Sequence, residues 1–170
     1  MEISVTHCAS PIGVLQIRGT TEGVTGVTFL DGWDEHRACL RTCKGIPSVL
    51  LECTEQLQEY FDGKRKELGT VRVAPRGTEF QRSVWEIILD VPWGASITYR
   101  EIGTSLGYTH AAQAVGAAVA SNPLAVVLPC HRVLPKEGVG GYVWGTWRKQ
   151  WLLRHEGIVV TTNCQLPTTH

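Results

Sequence analysis

Residues 98–121 carry the sequence TYREIGTSLGYTHAAQAVGAAVAS, which has the pattern of two short helices joined by a tight turn. Thr98 and Glu101 form a capping box, which predicts the start of the first helix, and Gly107 ends it. A second helix is predicted over about residues 110–121. This arrangement is typical of the helix-turn-helix motif, which serves many DNA-binding proteins and also occurs in proteins that never bind DNA.

Small residues dominate the second of these helices. They are Ala111, Ala112, Ala114, Gly116, Ala117, Ala118 and Ala120. The helix carries almost no charge that could contact phosphates or base edges. A helix this slim permits close approach, either of neighbouring helices or of a DNA groove, and its composition leaves both interpretations open.

A cysteine beside a histidine follows the second helix, in the sequence Pro129-Cys130-His131-Arg132-Val133. The apolar run 124–128 before it is bounded by prolines, which predicts a short buried strand that delivers Cys130 to a protected place. A thiol becomes a strong nucleophile when a neighbouring base takes its proton. Adjacent cysteine and histidine also arise by chance, in metal sites and in inert cores, so the pair alone does not decide the chemistry.

The N-terminal part of the chain alternates β-rich runs with turn residues, at 3–5, 14–17 and 24–30, which predicts a small antiparallel sheet. Ser48 can cap a helix that covers this sheet. Its apolar residues recur at helical spacing, at Leu50, Cys53, Leu57, Tyr60 and Phe61. Gly63 ends that helix.

A second capping box, Thr78 with Gln81, predicts a helix after a linking segment. Its apolar face consists of Phe80, Val84, Ile87 and Ile88. Trp85 is interpreted as a core or interface residue. The elements together predict an α/β protein, with a small antiparallel sheet and helix domain with linker in residues 1–75. Residues 76–170 form a mainly helical, winged-helix-like domain that contains the helix-turn-helix motif.

Overall charge does not indicate a partner. The chain has 170 residues and 18.7 kDa, with 16 basic against 16 acidic residues and a formal net charge of zero. Such a balance is unusual for a protein that rests on phosphates. Residues 99–156 hold six basic and three acidic residues, which gives this segment a modest positive balance.

Cysteine spacing indicates a reducing compartment. The cysteines are Cys8, Cys39, Cys43, Cys53, Cys130 and Cys164, and they lack the paired spacing of a disulfide scaffold. Cys39, Cys43 and Cys53 are a weak hint of zinc, but no histidine pair follows at zinc-finger spacing, so no metal site is predicted. No cleavable apolar leader and no membrane-spanning segment is recognisable, which predicts a cytoplasmic protein.

Several motifs extend the pattern around the cysteine. They are Arg76-Gly77-Thr78, Asn122-Pro123, the loop from Gly138 to Tyr142, and Trp151-Leu152-Leu153-Arg154-His155-Glu156-Gly157. With them the chain resembles the O6-alkylguanine-DNA alkyltransferases, most densely from Arg76 to Gly157. Ser10-Pro11-Ile12-Gly13 and Tyr60-Phe61-Asp62-Gly63 resemble the N-terminal landmarks of that family.

This resemblance implies a fold, an activity and a partner. The N-terminal domain is expected to be ribonuclease-H-like, and the second helix is expected to enter the minor groove while the damaged base is flipped out. The expected reaction is irreversible transfer of the alkyl group from O6-methylguanine, and from O4-methylthymine, to the protein. It needs no cofactor and gives no turnover, and a monomer acting on duplex DNA is expected.

The resemblance also implies roles for five residues. Cys130 is the nucleophile, and His131 takes its proton through a bound water. Glu156 accepts a hydrogen bond from His131 and stabilises the imidazolium. Asn122 bonds the backbone around the active-site turn, and Tyr99 helps the guanine to leave by donating a proton or hydrogen bond.

Further residues are assigned to binding. Tyr142 is expected to form a pocket wall, and the backbone of Val133 and Val143 to read the guanine edge. The DNA-binding residues are expected on the second helix, at Ala111, Ala112, Gln113, Ala114 and Gly116. Arg132 is interpreted as a buried structural cation, and His155 receives no role.

Two positions depart from the family pattern. Gln113 stands where the family usually has the arginine that enters the base stack, so the attraction of a cation to bases and phosphates is lost. Trp144 stands where many members carry a smaller residue. Its ring is expected to narrow the pocket entrance and to favour methyl over bulkier adducts.

Two rival functions remain on the sequence alone. The first is a helix-turn-helix protein that binds the lesion, transfers nothing and recruits other repair factors. The second is a cysteine hydrolase that uses Cys130 and His131 on a small acyl substrate, which would require an oxyanion hole.

Overall fold

The computed structural model describes residues 2–32, 45–69 and 71–160. The chain begins with an antiparallel sheet of three strands in the order β1 (Ser4–Ser10), β2 (Gly13–Thr20) and β3 (Gly23–Leu30). Tight two-residue connections join these strands, as the predicted turns require. The weak zinc hint lies partly outside the described residues, since Cys39 and Cys43 fall between the first two ranges.

Helix α1 (Ser48–Phe61) covers this sheet with the predicted apolar face. Leu50, Cys53, Leu57, Tyr60 and Phe61 are all buried. The prediction that Ser48 caps the helix is wrong, because Pro47 is the capping residue and no side chain caps this end. The carbonyl of Pro47 accepts the first helical bonds, from the amides of Leu50 and Leu51. Proline holds φ at a value suited to that entry.

The described residues of the C-terminal half contain four α-helices: α2 (Glu79–Leu89), α3 (Tyr99–Ser105), α4 (Ala112–Ala120) and α5 (Thr146–His155). Both predicted capping boxes are present, at the starts of α2 and α3. Trp85 on α2 donates a hydrogen bond from Nε1 to the carbonyl of Ala118 on α4, at 2.9 Å. Two short parallel strands, β4 (Ile97–Thr98) and β5 (Val133–Leu134), complete the predicted α/β class.

The run from Leu124 to Leu128 is buried, but it is not the predicted strand. The chain turns on itself here, because the amide of Leu128 bonds the carbonyl of Leu124 at 2.9 Å. Val126 has φ 68°, a conformation that a β-branched residue rarely adopts. Leu124 alone retains strand-like pairing, in an isolated bridge to Val27 on β3.

The two halves share one continuous hydrophobic core, and polar contacts join them at defined points. Arg148 of α5 is buried and donates from Nε to the carbonyl of Ile12 at 2.8 Å and from Nη2 to Asp31 at 2.9 Å. Its guanidinium also lies over the ring of Phe29, 4.5 Å from the centroid. Among the described residues, no helix has the length and apolar character needed to cross a bilayer.

We expect Gly13→Ala to lower the free energy of unfolding by about 1–3 kcal/mol. Gly13 has φ 120°, and a Cβ there would lie 3.0 Å from Nη2 of Arg148. Gly63→Ala is the matched control, because Gly63 also has positive φ but faces open space. Urea denaturation measures both variants. Equal losses would show that the Arg148 contact is not disturbed.

Candidate active site around Cys130

Cys130 begins a short 3-10 helix (Cys130–Arg132) and is 4% exposed. Asn122 holds the surrounding turn, since its Nδ2 donates to the carbonyl of Leu128 at 2.9 Å and its Oδ1 accepts from the amide of Leu124 at 2.7 Å. The same Nδ2 lies 3.0 Å from Sγ of Cys130 and donates to it. Asn122 therefore contacts the sulfur directly, in addition to the predicted backbone bonds.

The sulfur is held in its protonated form in the resting protein. Burial raises the pKa of the Cys130 thiol to about 11, although the hydrogen bond from Asn122 and the charge of Lys149 act in the opposite direction. Both of these groups favour a thiolate. The site thus stabilises the charge that a reaction at sulfur develops, while the thiol stays largely unreactive towards solvent reagents at neutral pH.

A buried carboxylate stands at the centre of the polar cluster. Glu156 is 3% exposed, and Arg132 forms a fork with it, from Nε to Oε2 at 2.8 Å and from Nη2 to Oε1 at 2.9 Å. His131 contacts Oε1 through Nε2 at 2.7 Å. Burial alone would raise the pKa of Glu156, but the bonds from His131 and Arg132 outweigh it and hold this pKa at about 2.

The ionised carboxylate determines the tautomer of His131. Glu156 can only accept hydrogen bonds, so Nε2 of His131 carries the proton that it donates. In the neutral ring the lone pair is then on Nδ1, which is buried and has no hydrogen-bond partner in the described part of the chain. Burial lowers the pKa of His131, against the opposing effect of Glu156. The neutral ring is therefore available as a base.

A cavity of about 340 Å³ opens onto the sulfur. Its lining includes Tyr99, Gly116, Val119, Cys130, Tyr142 and Val143. Tyr99 is the first residue of α3, as predicted. Its pKa is raised by burial and by proximity to Cys130, so the hydroxyl keeps its proton at neutral pH. Of the predicted substrate-binding residues, Tyr142 and Val143 line this cavity.

A larger cleft of about 790 Å³ lies beside that cavity and shares Tyr99, Gly116 and Gly141 with it. Ala112 and Gln113 of α4 form one side of the cleft. The predicted DNA-binding residues lie along this helix, where Ala112, Gln113 and Ala114 are exposed and Ala111 and Gly116 are half-buried. Their small side chains leave the outer face of α4 open to close contact.

Trp144 and Val133 are not among the residues that line the cavity. The ring of Trp144 packs behind Tyr142, with centroids 5.3 Å apart, and against Phe29 of β3 at 6.3 Å. It packs behind the cavity wall, and the effect of its ring on the size of the adduct stays a prediction. The carbonyl of Val133 accepts a hydrogen bond from Nζ of Lys149 at 2.7 Å.

The positive balance of residues 99–156 is largely internal. Arg132, Arg148 and Lys149 are buried, as is Glu156. The exposed basic residues of this segment are Arg100, Lys136 and Arg154, against the exposed Glu101 and Glu137. The excess that faces solvent thus falls from three charges to one. We infer weak non-specific attraction to a phosphate backbone.

Three residues at the site were missed by the sequence interpretation. Tyr60, interpreted as core, donates from its hydroxyl to Oε1 of Glu156 at 2.6 Å. Lys149 ties the carbonyls of Val133 and Gly141 together, and burial lowers its pKa to about 8. Arg148 holds the carbonyl of Trp144 at 2.9 Å. The sequence around Arg148 and Lys149 gave no signal of their burial, because their helix also carries Gln150, Arg154 and His155.

We expect acid to destabilise the fold through this cluster. Because the folded pKa of Glu156 is about 2 against an ordinary 4.5, its contribution is complete above pH 4.5 and is lost as pH falls towards 2. The pKa of His131 is lowered from its ordinary 6.5, so protonation of this residue also reduces the stability of the fold as the pH falls below 6.5. Urea denaturation at a series of pH values measures the free energy of unfolding, which we expect to fall by on the order of 3 kcal/mol. A flat profile would contradict it.

Fold and site together define a class: a helix-turn-helix protein that presents a buried, hydrogen-bonded cysteine beside the open face of its second helix. Models of the 6-O-methylguanine DNA methyltransferase family match two stretches, the ribonuclease-like domain over residues 3–75 and the DNA binding domain over residues 79–158. The chain is 38% identical over 158 residues to a methylated-DNA–protein-cysteine methyltransferase of Methanosarcina acetivorans, an alignment that covers 87% of this chain and 94% of that protein.

Solved structures give the same result. The crystal structure of Mycobacterium tuberculosis O6-methylguanine methyltransferase is similar with a TM-score of 0.78 and 35% identity, over 91% of this chain and 93% of that chain. The M. tuberculosis OGT in complex with DNA is similar with a TM-score of 0.77 and 34% identity, over 89% of this chain and 91% of that chain. The chain belongs to the 6-O-methylguanine DNA methyltransferase family, which confirms the resemblance carried by its motifs.

Proposed function

We propose that this protein repairs O6-methylguanine in duplex DNA by moving the methyl group to Cys130, in the single-turnover reaction of a methylated-DNA–protein-cysteine S-methyltransferase. Family membership supports direct repair over lesion binding without transfer. The observation that carries the assignment to Cys130 is that this residue lines a cavity of about 340 Å³ and that its sulfur accepts a hydrogen bond from Asn122. We also propose that residues 1–75 and residues 76–170 form two domains.

The reaction is a displacement at a saturated carbon. The bond from Sγ of Cys130 to the methyl carbon forms as the bond from that carbon to O6 of guanine breaks. The thiol proton goes to Nδ1 of His131 through a bound water, as the family resemblance implies, and Glu156 stabilises the imidazolium. Tyr99 donates its hydroxyl proton to the leaving guanine and recovers one from solvent. No cofactor enters the balance.

Positioning of the flipped base is assigned to the cavity walls. The ring of Tyr142 packs against the base, and backbone groups of Val143 read its edge. The carbonyl of Val133 contributes to the guanine edge only if it accepts a second hydrogen bond, since Lys149 already occupies one lone pair. O4-methylthymine is the second substrate of this proposal, because it presents a methyl group on an oxygen of a flat ring in the same way.

DNA is bound by the outer face of α4. A slim helix fits the minor groove, and the small residues from Ala111 to Gly116 let the backbone come close to the DNA. Gln113 fills the gap that the flipped base leaves, by hydrogen bonds rather than by charge. The protein acts as a monomer and in the cytoplasm, where a thiol acceptor stays reduced.

We expect Gln113→Arg to raise the rate of transfer from duplex DNA by about tenfold. A guanidinium stacks on bases and attracts phosphates, and Gln113 is exposed and free to be lengthened. Single-turnover kinetics on an O6-methylguanine duplex and on free O6-benzylguanine measure the effect. The free base should react at an unchanged rate, since it needs no flipping. Equal acceleration of both substrates would contradict this explanation.

Mass spectrometry of the intact protein and its peptides tests the proposed function. The protein is mixed in equal amount with a duplex that contains one O6-methylguanine, and the DNA is analysed in parallel. One methyl group on Cys130 with guanine restored in the DNA establishes the transfer. An unmodified protein that still binds the lesion would favour the non-transferring alternative, and repeated turnover of an ester or amide would favour the hydrolase.

A further inference from the structure

Tyr60, a residue of the N-terminal half, bonds directly to Glu156 in the active-site cluster. Tyr60 lies near the end of α1 and is 1% exposed, and its hydroxyl is 2.6 Å from Oε1 of Glu156. Because Glu156 is ionised, the hydroxyl is the donor in this bond. Oε1 thus accepts from Tyr60, from His131 at 2.7 Å and from Arg132 at 2.9 Å.

The ring of Tyr60 is fixed on several sides. It packs edge-on against Phe61, Trp93 and His155, with centroids 5.2–5.4 Å apart. The Nε2 atom of His155 also lies 2.7 Å from the carbonyl of Tyr60. A hydroxyl held this firmly meets the carboxylate at little further entropic cost. The surrounding residues therefore fix the hydroxyl of Tyr60 in the position from which it bonds Glu156.

We infer that Tyr60 is a positioning residue for methyl transfer: its hydroxyl shares the charge of Glu156 with His131 and so sets the basicity of the imidazole that takes the proton of Cys130. The inference rests on the proposed function and extends it, because it gives a residue of the N-terminal half an indirect part in the chemistry. Tyr60 acts only through Glu156 and touches neither the sulfur nor the cavity.

The geometry separates charge from position. Arg132 holds both oxygens of Glu156 in a fork, so the carboxylate keeps its place when the tyrosine hydroxyl is removed. The remaining charge on Oε1 then concentrates on the bond to His131 and favours the imidazolium. The other charged or titratable groups that face the cluster are Cys130, Arg132, Tyr142, Lys149 and His155.

The test is Tyr60→Phe, with the pKa of His131 followed by NMR of its ring nitrogens in the protein without DNA. We expect this pKa to rise by about one unit. The pH at which single-turnover transfer reaches half its maximum should move to higher values by the same amount. Tyr108→Phe is the control, since Tyr108 is exposed after α3 and its ring packs on Phe80, and it should leave the pKa of His131 unchanged.

A second variant keeps the inference falsifiable if Tyr60→Phe folds poorly. Difluorotyrosine at position 60 is a stronger donor of the same shape, so it should lower the pKa of His131. An unchanged pKa in the variant that folds, or a shift of the wrong sign, overturns the inference. The NMR titration needs no substrate, so a wild-type protein that fails to take up methyl would refute the proposed function and leave this measurement decisive for Tyr60.

Discussion

The Cys130→Ala variant should take up no methyl group from an O6-methylguanine duplex, while it binds that duplex with an affinity within about threefold of wild type. The loss should be complete because, among the described residues, Cys130 is the one cysteine that lines the cavity. Binding survives because the thiol lies at the bottom of the cavity and contributes nothing to the outer face of α4. Mass spectrometry measures the transfer and fluorescence anisotropy the affinity.

The fold should tolerate this change. Asn122 keeps its bonds to the carbonyl of Leu128 and the amide of Leu124, so no buried polar group loses its last partner. Cys53→Ala is the matched control, since Cys53 is equally buried but packs in the core under α1. It should transfer normally. Methyl uptake by the Cys130→Ala protein would mean that another cysteine is the acceptor.

Glu156→Gln should have the largest effect on stability, with a loss of about 3–5 kcal/mol. Arg132 would remain buried with an amide in place of its carboxylate partner. Tyr60 and His131 would donate to a neutral amide instead of a charged carboxylate. Transfer should slow by at least about a hundredfold at a temperature where the variant is folded, because the imidazolium is no longer stabilised. Urea denaturation and single-turnover kinetics measure the two effects.

Glu137→Gln provides the control for charge alone, since Glu137 is exposed on the loop after β5. It should change the free energy of unfolding by less than about 0.5 kcal/mol. A Glu156→Gln protein as stable as this control would show that the cluster contributes nothing net to folding. A stable variant with normal transfer would remove Glu156 from the mechanism altogether.

Local signals were enough to predict where α2 and α3 begin. The capping boxes at Thr78 and Thr98 are formed by residues three positions apart, so they are readable without knowledge of distant contacts. The face of α1 was likewise readable from its spacing. The adjacency of Cys130 and His131 is visible in the sequence itself, but their roles and that of Glu156 came from the family resemblance rather than from spacing.

Contacts between distant segments were beyond sequence reasoning. The run from Leu124 to Leu128 has the composition of a strand, but the side chain of Asn122 satisfies its backbone locally and lets it turn. Tyr60 has the spacing of a core residue, and nothing near it in the chain indicates a carboxylate 96 positions away. The position of Trp144 behind Tyr142 depends on a contact with Phe29 of the N-terminal sheet, which is distant in the sequence.

The contacts that join the two halves of the chain suggest how the protein could be divided into two fragments. Three contacts fix how the two halves fit together. They are the bond from Arg148 to the carbonyl of Ile12, the bond from Tyr60 to Glu156, and the bridge between Val27 and Leu124. A chain cut after the exposed Gly63 would yield two fragments that complement each other in that arrangement. Fused to two interacting proteins, such fragments would form a split reporter whose output is a permanent covalent label.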